Sequence, residues 1–162
     1  MKLALVATLI VAATASVSAW ANDPQATIKS LEERLAKIGA PKIDGTDKAG
    51  DKQVPALFFG ARKINGNYDV VDEIKKSTGA TATIFVKDGE EFVRVSTNVL
   101  TPEGKRGVGT QLARNKAYDA VSKGQEFCGD IDVLGTAYAA CYRPVKDGGG
   151  KVIGASYIGH KK

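Results

Sequence analysis

The sequence predicts an α+β fold, in which a central antiparallel sheet of five or six strands has a long helix on one face and a helix-loop layer on the other. Two hairpin-like segments indicate the antiparallel sheet, because Asp88-Gly89 and Leu134-Gly135 each separate two stretches with high strand propensity. Helical segments precede and interrupt these strands. We therefore expect both faces of the sheet to be covered.

The N-terminus has the organisation of a secretory signal peptide. Lys2 supplies the positive charge, residues 3–15 form the apolar region, and residues 19–21 (AWA) form a cleavage site. A membrane anchor is the alternative, but the apolar region is short and rich in small residues. We therefore predict cleavage after Ala21 and export of a soluble protein to the periplasm.

The composition is typical of one small exported domain. The 162 residues include 23 Lys and Arg against 18 Asp and Glu, which gives a net charge of +5. The basic residues are scattered among acidic ones and form no stripe, so the composition argues against nucleic-acid binding. A mildly basic surface is compatible with a small anionic ligand.

The first predicted helix begins at Pro24, with Asn22 or Asp23 as its cap, and ends at Gly39. Its outer face is charged. Its apolar residues recur at helical spacing and predict one buried face: Ile28, Leu31, Leu35 and Ile38.

Two weaker segments separate this helix from the next one. Residues 40–53 are polar and rich in turn-forming residues, so we predict a loop. Residues 54–59 are a short apolar strand, which Pro55 weakens. The second helix follows, with Asn67 as its cap and Gly79 as its end.

The C-terminal half is predicted to contain one more helix and three strands. Residues 98–114 are a Gly-rich and basic loop, and residues 116–123 form a helix that ends at Gly124. Two strands then surround Leu134-Gly135, and a last strand (KVIGASYIG) follows a turn at residues 147–150.

The hairpin over residues 81–97 has two different faces. A turn at Asp88-Gly89 would place Thr83 opposite Arg94 and Phe85 opposite Phe92. One face is predicted to be core: Ala82, Ile84, Val86, Val93 and Val95. The other combines an arginine with hydroxyls and aromatic rings: Thr81, Thr83, Phe85, Phe92, Arg94 and Ser96. Arg94 is either a surface arginine or a clamp for a carboxylate, which a guanidinium binds with two hydrogen bonds.

The two cysteines fall opposite each other in the second hairpin. If Leu134-Gly135 is the turn, Val133 pairs with Thr136 and Cys128 with Cys141, at a non-hydrogen-bonded position where the strands approach closely. This predicts a disulfide in an oxidising compartment. Two free buried thiols are the alternative.

Enzyme and cofactor motifs are weak or absent from the sequence. GKRGVGT, residues 104–110, lacks the spacing of a phosphate-binding loop. His160 is the single histidine, so no catalytic triad or zinc site can be assembled. Haem would need a C-x-x-C-H motif or a suitable axial ligand. We therefore predict a protein that is not an enzyme and that carries no metal or cofactor.

With this order of elements, residues 54–159 resemble extracellular Cache sensor domains of the PAS-like Cache 3/Cache 2 fusion type. The matching segments are GATATIFVKDGEEFVRVSTNV, GKRGVGTQL, GQEFCGDIDVLGTAY, YRPVKD and GKVIGASYIG. The resemblance implies a PAS-like Cache fold and a periplasmic sensor of small ligands. The chain then divides into a signal peptide (1–21), an N-terminal amphipathic helix with its linker (22–53) and a Cache sensor domain (54–162).

The resemblance also implies a ligand site. Related dicarboxylate and citrate sensor domains end their second strand with Arg-x-Ser-His, whose arginine and histidine hold ligand carboxylates. The matching residues are Arg94 and Thr97, so a hydroxyl replaces the histidine. A pocket aromatic of these domains falls on Leu112, and their second arginine and a further aromatic fall on Ala140 and Tyr142. Without the second arginine, a small monocarboxylate is expected.

Two tyrosines flank Ala140 on the same face of the predicted strand. Tyr138 and Tyr142 are either half-buried strand aromatics or residues whose hydroxyls line the ligand site. We include both in the predicted site.

Receptors of this family continue into a membrane helix and signalling modules, whereas this sequence ends at Lys162. We therefore expect a free-standing member that passes its signal to a membrane chemoreceptor or histidine kinase, as in chemotaxis. A homodimer through the first helix is also considered. The alternative is an interaction or dimerisation module without a small ligand. A site closed by side chains and an exposed apolar stripe on the first helix would favour that alternative.

Overall fold

The computed structural model describes residues 22–162. The predicted signal peptide, residues 1–21, lies outside the described residues. The helices are α1 (Pro24–Ile38), α2 (Asp69–Thr78) and α3 (Lys116–Ser122). The strands are β1 (Pro41–Ala49), β2 (Lys52–Phe59), β3 (Arg62–Lys63), β4 (Thr81–Asp88), β5 (Glu91–Thr97), β6 (Phe127–Val133), β7 (Thr136–Lys146) and β8 (Val152–Lys161).

The described strands form two antiparallel sheets. The larger has five strands in the order β5-β4-β8-β7-β6, and the smaller has three in the order β1-β2-β3. The predicted α+β class and the central antiparallel sheet are confirmed. The strand predicted over residues 54–59 is present as β2, but it belongs to the smaller sheet.

The prediction of a loop over residues 40–53 is wrong. Residues 41–49 form β1, which pairs with β2 from Pro41 opposite Phe59 to Ala49 opposite Lys52. Most β1 side chains are exposed, and a bulge between Ile43 and Thr46 interrupts the register. The strand therefore has no alternation of apolar and polar residues. Its backbone hydrogen bonds to β2 hold it in place, and these leave no trace in the side-chain pattern.

The three predicted helices are confirmed, with caps that satisfy their first N–H groups. The Asp23 carboxylate accepts a hydrogen bond from the Gln25 backbone N–H at the start of α1. The cap of α2 is Tyr68 rather than the predicted Asn67, but the Asn67 side chain still accepts a hydrogen bond from the Asp69 N–H. Asn115 does the same for α3. Within residues 22–162, no helix has the length and apolar character that crossing a membrane requires.

The β4–β5 hairpin forms, but its register differs from the prediction. Asp88 pairs with Glu91, so the turn residues are Gly89 and Glu90, and Phe85 pairs with Arg94. Gly89 takes a positive φ of 58° at the first turn position. The predicted turn at Asp88-Gly89 placed the glycine second, and that choice shifted every cross-strand pair.

A bulge in β5 also corrects one predicted face. Beyond Phe85 the register shifts, so that Ile84 pairs with Ser96 and Thr83 with Thr97. Ser96 therefore lies on the opposite face from Arg94, where its hydroxyl donates to the Asn67 carbonyl. Thr97 lies opposite Thr83 on the Arg94 face instead, where the prediction had placed Arg94 opposite Thr83 and had put Ser96 on the same face.

The five-stranded sheet separates two hydrophobic cores, as the helix arrangement predicted. Helices α1 and α2 cover one face of the sheet. The apolar side of α1 packs there in one core with Ala82, Ile84 and Val86 of β4. Helix α3 and the loop at residues 98–114 cover the other face, over Phe85, Phe92 and Tyr142. The Arg94 face is the second one, so that arginine is enclosed.

The predicted disulfide is confirmed. In the β6–β7 hairpin Val133 pairs with Thr136 and Cys128 with Cys141, around a turn at Leu134-Gly135. The two sulfurs are bonded, with the Cα atoms 4.1 Å apart. The bond links the edge strand β6 to β7, directly beside Tyr142.

Candidate functional site

The candidate site lies on the Arg94 face of the larger sheet. Strands β5, β4, β8 and β7 lie side by side there and bring together residues that are far apart in the sequence. All of the predicted ligand residues are buried, with exposed fractions between 0% and 7%: Arg94, Thr97, Leu112, Tyr138, Ala140 and Tyr142.

Arg94 is the charged residue at the centre of this face, and only 3% of it is exposed. Its Nη1 donates to the Thr110 hydroxyl at 3.0 Å and to the Gln111 carbonyl at 2.9 Å. Both acceptors are neutral and belong to the loop at residues 98–114. The guanidinium is thus held by the loop without a carboxylate on Nη1.

One donor of this guanidinium, Nε, is unsatisfied. The Nε atom of Arg94 is buried and has no hydrogen-bond partner among the described residues. Burial lowers the pKa of Arg94 below its usual value, and the nearby Tyr142 and Tyr157 act in the opposite direction. A buried cation with an idle donor is costly in a protein without ligand, because a charged donor loses its hydration. An anion at Nε would remove that cost.

Aromatic rings surround the guanidinium. Its central carbon lies 5.0 Å from the centroid of the Phe85 ring, close enough for a cation–π contact. The rings of Tyr142 and Tyr157 are 4.8 Å apart. Burial raises the pKa of both tyrosines above the usual value, whereas the charge of Arg94 acts to lower it. Both phenols therefore remain neutral at neutral pH, but the Tyr157 hydroxyl already donates to the Thr81 hydroxyl, whose own proton goes to the Gly159 carbonyl.

The two threonines of β4 and β5 form a hydrogen-bonded pair beside this cluster. The hydroxyls of Thr83 and Thr97 are 2.6 Å apart, and the Thr97 hydroxyl also accepts the Val99 backbone N–H at 3.1 Å. The Thr97 hydroxyl therefore already has partners within the fold. Its contribution to a ligand would require exchanging one of them.

The remaining predicted residues form the apolar wall of the same face. Leu112 follows Gln111 in the covering loop, and its N–H donates to the Phe92 carbonyl at 2.9 Å. Tyr138 contacts Tyr157 edge to face at 6.5 Å between ring centroids. Ala140 is 1% exposed and packs in the same cluster. No second arginine occupies this part of β7.

Sequence reasoning missed three residues that contact or surround Arg94: Thr110, Gln111 and Tyr157. The first two belong to a loop that runs along β5, where Val93 and Gln111 form an isolated bridge. Tyr157 comes from β8, which lies between β4 and β7, so Thr83 is its cross-strand neighbour. A period-2 reading of ASYIG places Tyr157 and Gly159 on one face, but strand order is needed to identify that face.

Gly159 leaves the space in which the Tyr157 ring lies. A Cβ atom at this position would be 2.1 Å from the Tyr157 hydroxyl oxygen and 3.1 Å from a ring carbon of Tyr138. Thr81 completes the arrangement: its hydroxyl is 3.1 Å from that of Tyr157 and donates to the Gly159 carbonyl at 3.0 Å.

The covering loop is tied to α2 by a second arginine. Arg106 forms two hydrogen bonds with the Asp72 carboxylate, at 2.7 and 2.8 Å, and one with the Thr97 carbonyl at 2.9 Å. Its guanidinium lies 4.4 Å from the centroid of the Tyr68 ring. Unlike Arg94, this arginine has a carboxylate partner, so its role is to anchor the loop. Among residues 22–162, no group of His, Cys, Asp and Glu could hold a metal ion.

Comparisons with known proteins identify the family of this chain. Among solved structures, the crystal structure of the E. coli DcuS sensor domain aligns with 87% of this chain and 79% of that chain, at a TM-score of 0.43 and 15% sequence identity. No curated protein matches the chain. The family model named Cache 3/Cache 2 fusion domain matches residues 4–162. The chain therefore belongs to the Cache 3/Cache 2 fusion domain family, whose members are sensory modules.

Proposed function

We propose that this Cache domain binds a small organic anion, with one carboxylate, at Arg94. The observation that carries the proposal is the buried Nε donor of Arg94, which has no partner among the described residues. A carboxylate is the group that a guanidinium binds best, because its two oxygens match two parallel N–H donors. The neighbouring Tyr142 phenol is neutral and can donate a hydrogen bond to the same anion.

A single carboxylate fits better than two. The resemblance to dicarboxylate sensor domains assigns Ala140 to the position of their second arginine, and Ala140 packs with Leu112 and aromatic rings in an apolar cluster. The rest of the ligand is therefore small and largely apolar.

Entry of the ligand requires movement of the covering loop. Arg94 is 3% exposed, so a ligand must displace part of the loop or an aromatic ring to reach Nε. Residues 107–112 are the natural moving part, because Thr110 and Gln111 hold the guanidinium. In a periplasmic protein, this rearrangement would pass the signal to a partner such as a membrane chemoreceptor or a histidine kinase. Signal-peptide cleavage after Ala21 belongs to the same proposal.

A thermal-shift screen with acetate, propionate, lactate, pyruvate and succinate tests the proposal. Ligand binding to the folded state raises Tm in a concentration-dependent manner. We expect monocarboxylates to stabilise the wild type and to leave Arg94→Met unaffected. Arg114→Met is the matched control, since Arg114 is an exposed arginine paired with Glu91. Silence of the screen, together with identical behaviour of the wild type and Arg94→Met, rejects the proposal.

The second candidate is an interaction module without a small ligand, and one observation favours it. Tyr138, Tyr142 and Leu112 are all buried and close the Arg94 face. The exposed stripe that this alternative also requires is missing, because Ile28, Leu31 and Leu35 are at most 2% exposed and pack inside the domain. A homodimer through α1 would therefore have to use the polar outer face of that helix.

A further inference from the structure

A cleft lies on the opposite side of the larger sheet from Arg94. It has a volume of about 310 Å³ and is bounded by the C-terminal half of α1, the start of β1, the end of β2 and strands β7 and β8. The cleft is thus formed where the two sheets meet α1. Small residues line one wall and leave the space open: Ala36, Gly39 and Ala40.

That wall cannot easily collapse. At Gly39 a Cβ atom would be 2.5 Å from the Cα of Gly60, and at Gly60 it would be 2.6 Å from the Ile38 carbonyl oxygen. The backbone at the end of α1 and the backbone at the end of β2 are therefore in direct contact. This contact fixes the distance between the end of the helix and the small sheet beside the cleft.

One polar side chain on this cleft has no partner. Ser156 lines the cleft, is 1% exposed, and its Oγ forms no hydrogen bond with any described residue. Its neighbours Ala155 and Tyr157 belong to the Arg94 core, so the alternation of β8 directs Ser156 to the α1 side. An unpartnered buried hydroxyl destabilises a protein unless another molecule supplies the missing hydrogen bond.

The other lining residues define what that molecule would be. The walls are mainly apolar: Leu35, Pro41, Phe59, Pro144 and Val145. The one acidic residue on the cleft is Glu32, and its carboxylate is paired with Arg143. Lys146 also lines the cleft, but its ammonium lies beside Gly124 at the end of α3, where a Cβ atom would be 3.3 Å from Nζ. The charged residues on the cleft therefore offer it no unpaired charge. The volume is at the lower end of the range for small-molecule pockets.

We propose that this cleft is a second binding site, for a small neutral molecule with an apolar body and one hydrogen-bonding group directed at Ser156. A single-ring phenol or an alcohol of similar size has this chemistry. Such a ligand would contact α1 and both sheets at once. This binding site is separate from the anion site proposed at Arg94, which lies on the other face of the larger sheet.

Fluorine NMR with 4-fluorophenol tests the proposal on the purified protein. We expect a saturable change in the ¹⁹F signal of the probe. In ¹H–¹³C spectra of the protein, we expect the probe to perturb the methyl signals of Leu35, Ala36 and Val145. Perturbation of Leu112 and Val99 instead would place the probe in the Arg94 core and overturn the proposal. Absence of saturable binding would overturn it as well.

Two variants probe the cleft itself. Ala36→Phe fills the cleft from an exposed helix position and should weaken binding more than tenfold, whereas Lys37→Phe places the same ring outside it. Ser156→Ala should weaken 4-fluorophenol roughly fivefold to tenfold, the typical effect of one hydrogen bond. Fluorobenzene, which lacks the hydroxyl, should bind the wild type and Ser156→Ala equally.

Measurements of protein stability distinguish a ligand-binding role of Ser156 from a purely structural role. Removal of an unpartnered hydroxyl should leave Tm of Ser156→Ala unchanged or higher. Equal binding by Ala36→Phe and Lys37→Phe, or by Ser156→Ala and the wild type, overturns the proposal. If Ala36→Phe changes the sedimentation coefficient and the probe does not bind, the cleft is an interface between two copies of the chain, and the proposal also fails.

Discussion

Arg94 and Phe85 are direct cross-strand neighbours in the β4–β5 hairpin, and the guanidinium lies 5.0 Å from the centroid of the ring. The ring face offers the cation a weak electrostatic partner, whereas Nε has none among the described residues. This pair therefore stabilises the buried charge only in part. The remaining cost is what a bound anion would offset.

Arg94→Met should stabilise the protein in the absence of ligand. Methionine has a similar length and carries no charge, so the desolvation cost disappears while most of the packing remains. We expect the free energy of unfolding to rise by about 1 kcal/mol or more, measured by urea unfolding followed by circular dichroism. Arg94→Lys is the matched control: it keeps the charge, loses the bonds to Thr110 and Gln111, and should be less stable than the wild type. A less stable Arg94→Met would show that these two bonds outweigh the buried charge.

Gly159→Ala should disturb the tyrosine cluster. The added Cβ would meet the Tyr157 hydroxyl at 2.1 Å, so the ring must turn away from Thr81. We expect a loss of about 1–3 kcal/mol, typical of overpacking in a core, measured by urea unfolding. Gly148→Ala is the control, because Gly148 lies in the β7–β8 turn with open space around it. Equal stability of the two variants would mean that the Tyr157 ring is free to move.

Reduction of the disulfide should loosen the edge of the sheet beside the site. Cys128 and Cys141 are 13 residues apart, and closing a loop of this size stabilises a protein by about 3 kcal/mol in the chain-entropy account. We expect a loss of this order when urea unfolding is repeated with a reductant. The double variant Cys128→Ser/Cys141→Ala should be destabilised from the start and should not respond to the reductant. A reductant effect of equal size on that variant would rule out the disulfide as its cause.

His160 should make stability depend on pH just below neutrality. It is 8% exposed, its Nε2 lies 3.0 Å from the Thr27 hydroxyl on α1, and burial lowers its pKa below the usual 6.5, with Asp23 acting in the opposite direction. As pH falls through 6.5, the unfolded chain binds a proton before the folded one does. Stability contributed by the neutral imidazole is therefore present above pH 6.5 and is lost as pH falls below it.

The measurement for His160 is Tm between pH 7.5 and pH 5. One histidine can change the free energy of unfolding by at most about 1.4 kcal/mol per pH unit, and Tm follows this change. His160→Gln retains a hydrogen-bonding side chain for Thr27 but does not titrate, so its Tm should change less across this range. Parallel curves for the two proteins would contradict the assignment to His160.

Sequence patterns predicted the features that depend on local physics. Helical spacing of Ile28, Leu31 and Leu35 placed α1, and Gly79 marked the end of α2 with a positive φ of 75°. Counting residue pairs outward from the turn at Leu134-Gly135 placed Cys128 opposite Cys141, because a two-residue turn fixes every pair that follows it. The resemblance of the motifs to Cache domains identified the family before any geometry was known.

The structure corrected the predictions wherever non-local contacts decide. The exposed strand β1 exists through hydrogen bonds to β2, which no side-chain periodicity records. The bulge in β5 exchanged Ser96 for Thr97 on the Arg94 face, because one extra residue reverses the alternation beyond it.

The sequence by itself determined the α+β class, the helices, the disulfide and the presence of a covering layer on each face of the sheet. Only the tertiary structure decided which groups meet the Arg94 guanidinium: the Thr110 hydroxyl, the Gln111 carbonyl, the Phe85 ring and the two tyrosines. The reason is physical. Strand order in a sheet and the path of a loop over it depend on contacts between distant segments. The same contacts bury Arg94 Nε where no other described residue can accept its hydrogen bond.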